Sequence, residues 1–117
     1  MQLNEIIFPQ ATPIDGYGPG FFRIAGQVIE GAVCVTETGA QVWGGLDDAA
    51  TLLAMAGDVD VVFVGTGTEV AHLPVDFRKT LEDAGLGIEI MSSPSACRTY
   101  NVLLSEGRRV AAALIAV

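Results

Sequence analysis

The sequence predicts an α/β fold: a mixed sheet with helices packed against it, a β-meander in the N-terminal half and then β-α-β-α-β. Three observations predict it. Residues 60–117 alternate short apolar runs with helical patterns across short links. The stretch from Phe21 to Trp43 holds several short apolar runs separated by tight turn signals. Apolar residues make up 50% of the chain, enough to fill a core between layers. The 117 residues suit a single domain, 1–117, and the chain shows no interior linker, repeat or low-complexity tract.

Taken in order, Leu3–Phe8 is an apolar run that stops at Pro9. Ile14-Asp15-Gly16-Tyr17-Gly18-Pro19-Gly20 is dense in turn formers and is expected to be irregular. Phe21–Ile24 and Gln27–Ile29 flank Ala25-Gly26, which predicts a tight hairpin. Ala32–Thr36 is β-branched and ends at Glu37-Thr38-Gly39, and Ala40–Trp43 is a further short strand. Asp47 is the expected cap of a helix with Ala49, Leu52, Leu53 and Ala56 on one face, ended by Gly57. Asp60–Gly65 is apolar on both faces, as a central parallel strand requires. Pro74 opens a helix with Phe77, Leu81 and Ala84 inward and Arg78 over Glu82. Gly85 ends it, and Leu86–Met91 is the next strand. Ser93-Pro94 reads as a cap followed by proline at the first helical position. Ala96, Tyr100, Leu103 and Leu104 form that helix's inner face, and Gly107 closes it. In the last segment, Arg108–Val117, the residues Val110, Leu114, Ile115 and Val117 favour a strand.

Composition excludes several function classes. Six Lys/Arg against fourteen Asp/Glu give a net charge of −8. Such a chain repels nucleic-acid phosphate. No apolar run reaches the roughly 20 residues of a spanning helix, and Met1–Glu5 lacks the charged start of a signal peptide. The expectation is therefore a cytoplasmic protein without membrane insertion. Its mean hydropathy of +0.47 leans toward a homo-oligomer. Two cysteines, Cys34 and Cys97, make no disulfide framework, and one histidine with two distant cysteines has no metal-ligand spacing. No metal and no cofactor is expected. Ile24 to Phe77 carries eight acids and no Lys or Arg, whereas the last twenty residues hold Arg98, Arg108 and Arg109 against Glu106.

In open α/β sheets, ligands sit beyond the carboxyl ends of the strands. Two loops qualify: Gly65-Thr66-Gly67-Thr68 and Ser92-Ser93-Pro94-Ser95. The second opens the helix that carries Cys97, Arg98, Thr99 and Asn101. Its free N–H groups, the hydroxyls of Ser93 and Ser95 and the Arg98 guanidinium suit a small anion; an ordinary capped helix beside a glycine turn explains the same residues. The dinucleotide fingerprint fails, because position 70 is valine and the helix opens near Pro74. Cys97, near a helix start and beside Arg98, is a candidate nucleophile with His72 as its only histidine partner; a small apolar helix residue is the plainer account. Asp47-Asp48 reads as a capping pair. Asp15 suits an Asx-turn. Tyr17 and Trp43, with Phe21 and Phe22, form an interface patch if the meander leaves a face open, and core if it does not.

Ile14-Asp15-Gly16-Tyr17-Gly18, Phe22, Gly65-Thr66-Gly67 and Ile90-Met91 stand in a telling order. Ala96-Cys97-Arg98-Thr99-Tyr100-Asn101 follows, and then Glu106-Gly107-Arg108-Arg109-Val110-Ala111-Ala112-Ala113-Leu114. From Ile7 to Leu114 the chain resembles a small domain family of unknown function, first seen in an archaeal hypothetical protein. That family includes the mitochondrial NADH:ubiquinone oxidoreductase (complex I) assembly factor 3. The resemblance implies a three-layer, mixed-sheet α/β domain with no established enzymatic activity, and a best-understood branch that binds protein partners while complex I is assembled.

Two functions are thus expected in order. One is a non-enzymatic, assembly-factor-like module with Tyr17 and Trp43 toward a protein partner. The other is a small-anion binding protein or enzyme using Gly65, Thr66, Gly67, Ser93, Ser95, Arg98, Thr99 and Asn101.

Overall fold

The computed structural model describes residues 12–117. The expected Leu3–Phe8 run lies outside the described residues. Eight strands form two sheets among them. Strands β1 (Ile14–Gly18), β2 (Phe21–Ile24) and β3 (Gln27–Glu30) make an antiparallel three-stranded sheet. Strands β4 (Val33–Thr36), β5 (Gly39–Val42), β6 (Val61–Gly65), β7 (Gly87–Met91) and β8 (Val110–Leu114) make the main sheet, in the order β5-β4-β8-β6-β7. The meander is therefore divided: its first three strands leave the main sheet and its last two extend it. Strand β6 runs parallel to both β7 and β8, which a helical crossover between strands of one sheet allows. Strand β4 is antiparallel to β8.

The main sheet is covered on both faces, which is why β6 and β8 are apolar throughout. On one face Cys34, Val62, Val64, Ala111 and Ala113 meet α1 (Ala49–Leu53) and α2 (Val75–Asp83) through Leu52, Phe77 and Leu81. On the other, Val33, Val35, Phe63, Ala112 and Leu114 meet α3 (Ser93–Ser105) through Ala96, Cys97, Tyr100 and Leu104, and the small sheet through Phe22 and Ile24. Alternation along each strand thus assigns residues to the two cores. The result is three layers.

Several details differ from the sequence expectation. Ile14–Gly18 is a strand. Gly16 and Gly18 take extended conformations, and only Gly20 supplies the positive φ (80°) that the turn to β2 needs. A Cβ at Gly18 would lie 2.5 Å from the Phe21 ring, so a larger residue here would have to displace that ring. Asp15 sits where the β1–β2 register shifts, and its carboxylate accepts from Gly26 N (2.9 Å). The cap of α1 is Asp48, not Asp47, which belongs to a preceding single 3₁₀ turn (Gly45–Asp47). Asp48 accepts from Thr51 N (3.0 Å), Thr51 Oγ1 (2.6 Å) and Gly44 N (3.0 Å). The Thr51 hydroxyl and amide, then the Gly44 amide, hold this carboxyl below its ordinary range, so the cap's contribution is lost as pH falls below 3.8. Ala84 is exposed, one residue past the end of α2. Finally, α3 is capped by Ser92, which moves Ser93 into the helix.

The expected hairpin at Ala25-Gly26 is present, with Ile24 paired to Gln27. Both turn residues have positive φ, 51° at Ala25 and 79° at Gly26, the pattern of a type I′ turn. Alanine tolerates this region poorly and asparagine well. Ala25→Asn is expected to stabilise the protein by about 0.5–1 kcal/mol in urea unfolding.

Candidate functional site

The two loops singled out in the sequence do meet, at the carboxyl ends of β6 and β7, but they close on each other. Ser93 N donates to Gly67 O (2.7 Å). Ser93 Oγ accepts from Gly67 N (2.9 Å) and donates to Ile115 O (2.6 Å). Thr66 N donates to Met91 O (2.9 Å). The Thr66 hydroxyl donates to Glu69 O (2.7 Å) and accepts from Ala71 N (2.9 Å), tying down its own loop. Gly65 O accepts from Ile115 N (2.9 Å), and Gly65 faces Ser93 so closely that a Cβ there would lie 2.6 Å from the Ser93 Cα.

The first turn of α3 has no amide left over. Ser93 N goes to Gly67, Pro94 has none, Ser95 N reaches the Ser92 hydroxyl (3.3 Å) and Ala96 N the Ser92 carbonyl (2.9 Å). Arg98 is exposed, with Nη2 donating to Ser95 Oγ (3.2 Å). Thr99 is half-buried on the same helix. Asn101 points away from the rim and clasps β1: its Nδ2 donates to Ile14 O (2.8 Å) and its Oδ1 accepts from Ile14 N (2.9 Å). Tyr100 adds a buried bond from its hydroxyl to Thr12 O (2.8 Å). The block Ala96–Asn101 and the block Ile14–Gly18, far apart in sequence, are thus fastened together. Sulfate and phosphate are accordingly expected to leave Tm unchanged in both the wild type and Arg98→Ala; a shift confined to the wild type would show that Arg98 binds the anion.

Cys97 is buried against the inner face of α3, and burial pushes its thiol up to about 11 although Arg98 pulls the other way. Burial, assisted by Asp48, pushes Cys34 up to about 12. Both are thiols at neutral pH, so neither is a nucleophile there. Stability from these groups is complete below 9.0, the ordinary thiol value, and declines as pH rises toward 11, because the unfolded chain ionises first. Iodoacetamide at pH 7.5 is expected to modify neither cysteine until the chain is unfolded. Among the described residues no group of three or more His, Cys, Asp or Glu is placed to hold a metal ion.

The paired interface reading of Tyr17 and Trp43 separates. Tyr17 is exposed (45%) on β1. Trp43 is 2% exposed: its ring lies 6.4 Å from that of Phe77, and Nε1 donates to Asp48 O (2.9 Å). Trp43 belongs to the core because β5 joins the main sheet and so carries the residue after it under α1.

Sequence reasoning missed a cavity of about 580 Å³ on the α1 side of the main sheet. It is lined by the β4–β5 turn (Thr36, Glu37, Thr38), Gln41, residues in and after α1, and Arg109. Arg109 Nη2 is held by Gly57 O (2.9 Å) and Asp60 Oδ1 (3.1 Å). The one signal available was the stretch from Ile24 to Phe77 without a cation, which contains the lining acids Glu37 and Asp58. Only the fold brings residues 36–41 beside 51–59.

An uncharacterized protein of Rhodobacter capsulatus is 55% identical over 115 residues, covering 98% of this chain and 93% of that protein. The mouse (Mus musculus) protein named NADH dehydrogenase [ubiquinone] 1 alpha subcomplex assembly factor 3 is 33% identical over 122 residues. That match covers 98% of this chain but 66% of the mouse protein, which is the longer of the two. A crystal structure described as an outer membrane protein from Bartonella henselae superposes with a TM-score of 0.83 at 36% identity, covering 94% of this chain and 98% of that one. In the described residues no helix is long and apolar enough to cross a membrane. Residues 14–115, from the start of β1 to just past β8, match one family, and the chain belongs to it: the family described as protein of unknown function (DUF498/DUF598), whose relatives include the assembly factor.

Proposed function

We propose that this chain is a non-enzymatic binding module that holds a protein partner during assembly of a respiratory NADH dehydrogenase. One observation carries the reading: the similarity to the mouse assembly factor runs through 98% of this chain, so what the two share is the whole described domain and not a fragment of it. The chemistry agrees with it. The sequence-selected rim is occupied by its own hydrogen bonds, and both thiols are held neutral. Tyr17, exposed on the small sheet, is the aromatic contact assigned to the partner. The two free, buried cysteines suit a reducing compartment, and the reading places the protein in the cytoplasm.

The test is deletion of the gene in its host, with NADH:ubiquinone oxidoreductase activity and assembled complex measured in membranes. Loss of assembled complex, restored by the wild type and restored less well by Tyr17→Ser, is the expected result. Normal assembly in the deletion strain would overturn the reading. Cell fractionation, with the protein recovered in the cytoplasmic fraction, checks the compartment.

A further inference from the structure

Strand β5 is the outer strand of the main sheet, and among the described residues no strand pairs with its outer edge. Gly39-Ala40-Gln41-Val42 contains neither a charge nor a proline, the usual devices that protect such an edge. Trp43 N donates inward to Ala32 O (3.0 Å). Since antiparallel ladders alternate, Gln41 is also bonded inward to β4, and Ala40 and Val42 turn their N–H and C=O groups outward. Val42 is 72% exposed.

The cavity lies directly beside this edge. Gln41 pairs with Cys34, whose side chain belongs to the α1-side core, so Gln41 stands on the face where the cavity opens. A strand added alongside β5 would send every second side chain to that face. The cavity floor is apolar, from Ala54, Met55 and Val59, and suits an aliphatic stem. Glu37 and Asp58 also line it, and neither has an ion-pair partner among the described residues. The one cation in the wall, Arg109, is already engaged by Asp60 and Gly57. An apolar stem ending in a positive charge is what this lining complements.

We propose that β5 and its adjoining cavity dock an extended basic segment of a partner protein, which adds a strand to β5 and places one lysine or arginine side chain between Glu37 and Asp58. The proposal rests on the partner-binding reading above and names where that partner sits. Backbone bonds to Ala40 and Val42 supply the attachment, and the cavity supplies the selection for a cation. The net charge of −8 favours a basic partner over a second copy of this chain.

The probe is a capped, fluorescein-labelled peptide of alternating valine and lysine, titrated with the protein and followed by anisotropy. Saturable binding is expected, with amide exchange at Ala40 and Val42 slowed in the complex. Val42→Pro removes an outward N–H without breaking a ladder bond, and is expected to weaken binding about tenfold or more. Glu37→Gln with Asp58→Asn is expected to weaken it about fivefold or more, while Glu106→Gln, a charge change away from the cavity, leaves it within about twofold. Absence of saturable binding, equal loss with Glu106→Gln, or unchanged exchange at Ala40 and Val42 in the wild-type complex would each overturn the proposal. So would sedimentation showing a dimer that Val42→Pro dissociates, because the edge would then belong to a second copy. If the partner from native membranes is captured equally by wild type and Val42→Pro, this docking site falls while the partner-binding reading stands.

Discussion

Gly65→Ala will lower Tm by more than about 10 °C, a loss of about 3–5 kcal/mol. A single methyl group does this because of what it meets. The added Cβ would lie 2.6 Å from the Ser93 Cα, 2.7 Å from its Oγ and 3.0 Å from a Leu114 methyl. The first of these is backbone, and it has nowhere to go. Ser93 is held on three sides, by Gly67 O, Gly67 N and Ile115 O, and Leu114 is fully buried. Ser93→Ala approaches the same lock from the other side. It leaves the Gly67 amide and the Ile115 carbonyl without their partner, at about 2–4 kcal/mol for the pair. The two substitutions share this contact, so the double variant should lose measurably less than the sum of the singles. Urea unfolding of the four proteins gives the cycle. A Gly65→Ala protein within about 2 °C of wild type would mean that the two loops are not locked as described.

That lock also explains how far the sequence could be read. The β-α-β-α-β half was legible because each element is written locally. Phe77 and Leu81 fall at helical spacing in α2, Gly85 and Gly107 stop helices, and Val61–Gly65 is apolar on both faces. The adjacency of residues 65–67 and 92–95 also followed from topology, since both leave the same edge of neighbouring parallel strands. What the sequence did not disclose is the fate of each polar group. A serine beside a proline at a helix start looks the same whether its hydroxyl faces a ligand or a neighbouring loop. The shift of the cap from Ser93 to Ser92 decided it, and that shift is set by the 2.7 Å bond between Ser93 N and Gly67 O, a long-range contact. Glycine was ambiguous for a similar reason. At Gly18 it marks a strand position against the Phe21 ring, and at Gly20 it marks a turn, yet the letters are the same. The Asn101 clasp on Ile14 spans 87 residues, and no local pattern announces it.

Trp43→Ala will cost about 3–5 kcal/mol and will act on folding before it acts on any partner. The ring is 2% exposed and sits in the cluster with Cys34, Leu52 and Phe77. Its removal leaves a large void between the main sheet and the α1–α2 layer, and it also takes the indole donor away from the Asp48 carbonyl at the cap of α1. Trp43→Phe separates these effects. It keeps most of the hydrocarbon but not the 2.9 Å bond, and is expected to cost less, about 1–3 kcal/mol. As the chain has a single tryptophan, its fluorescence reports the same environment directly: emission should be blue-shifted in the native protein and move to the red in urea along one transition with the far-UV signal. A surface role makes the opposite forecast. Emission would already be red in the native state, and Trp43→Ala would unfold at the wild-type temperature while failing to capture a partner. Tyr17→Ser serves as the exposed counterpart, with Tm expected within a few degrees of wild type and partner capture reduced. Measuring both variants in both assays assigns the two aromatic residues to separate tasks, one inside the fold and one outside it.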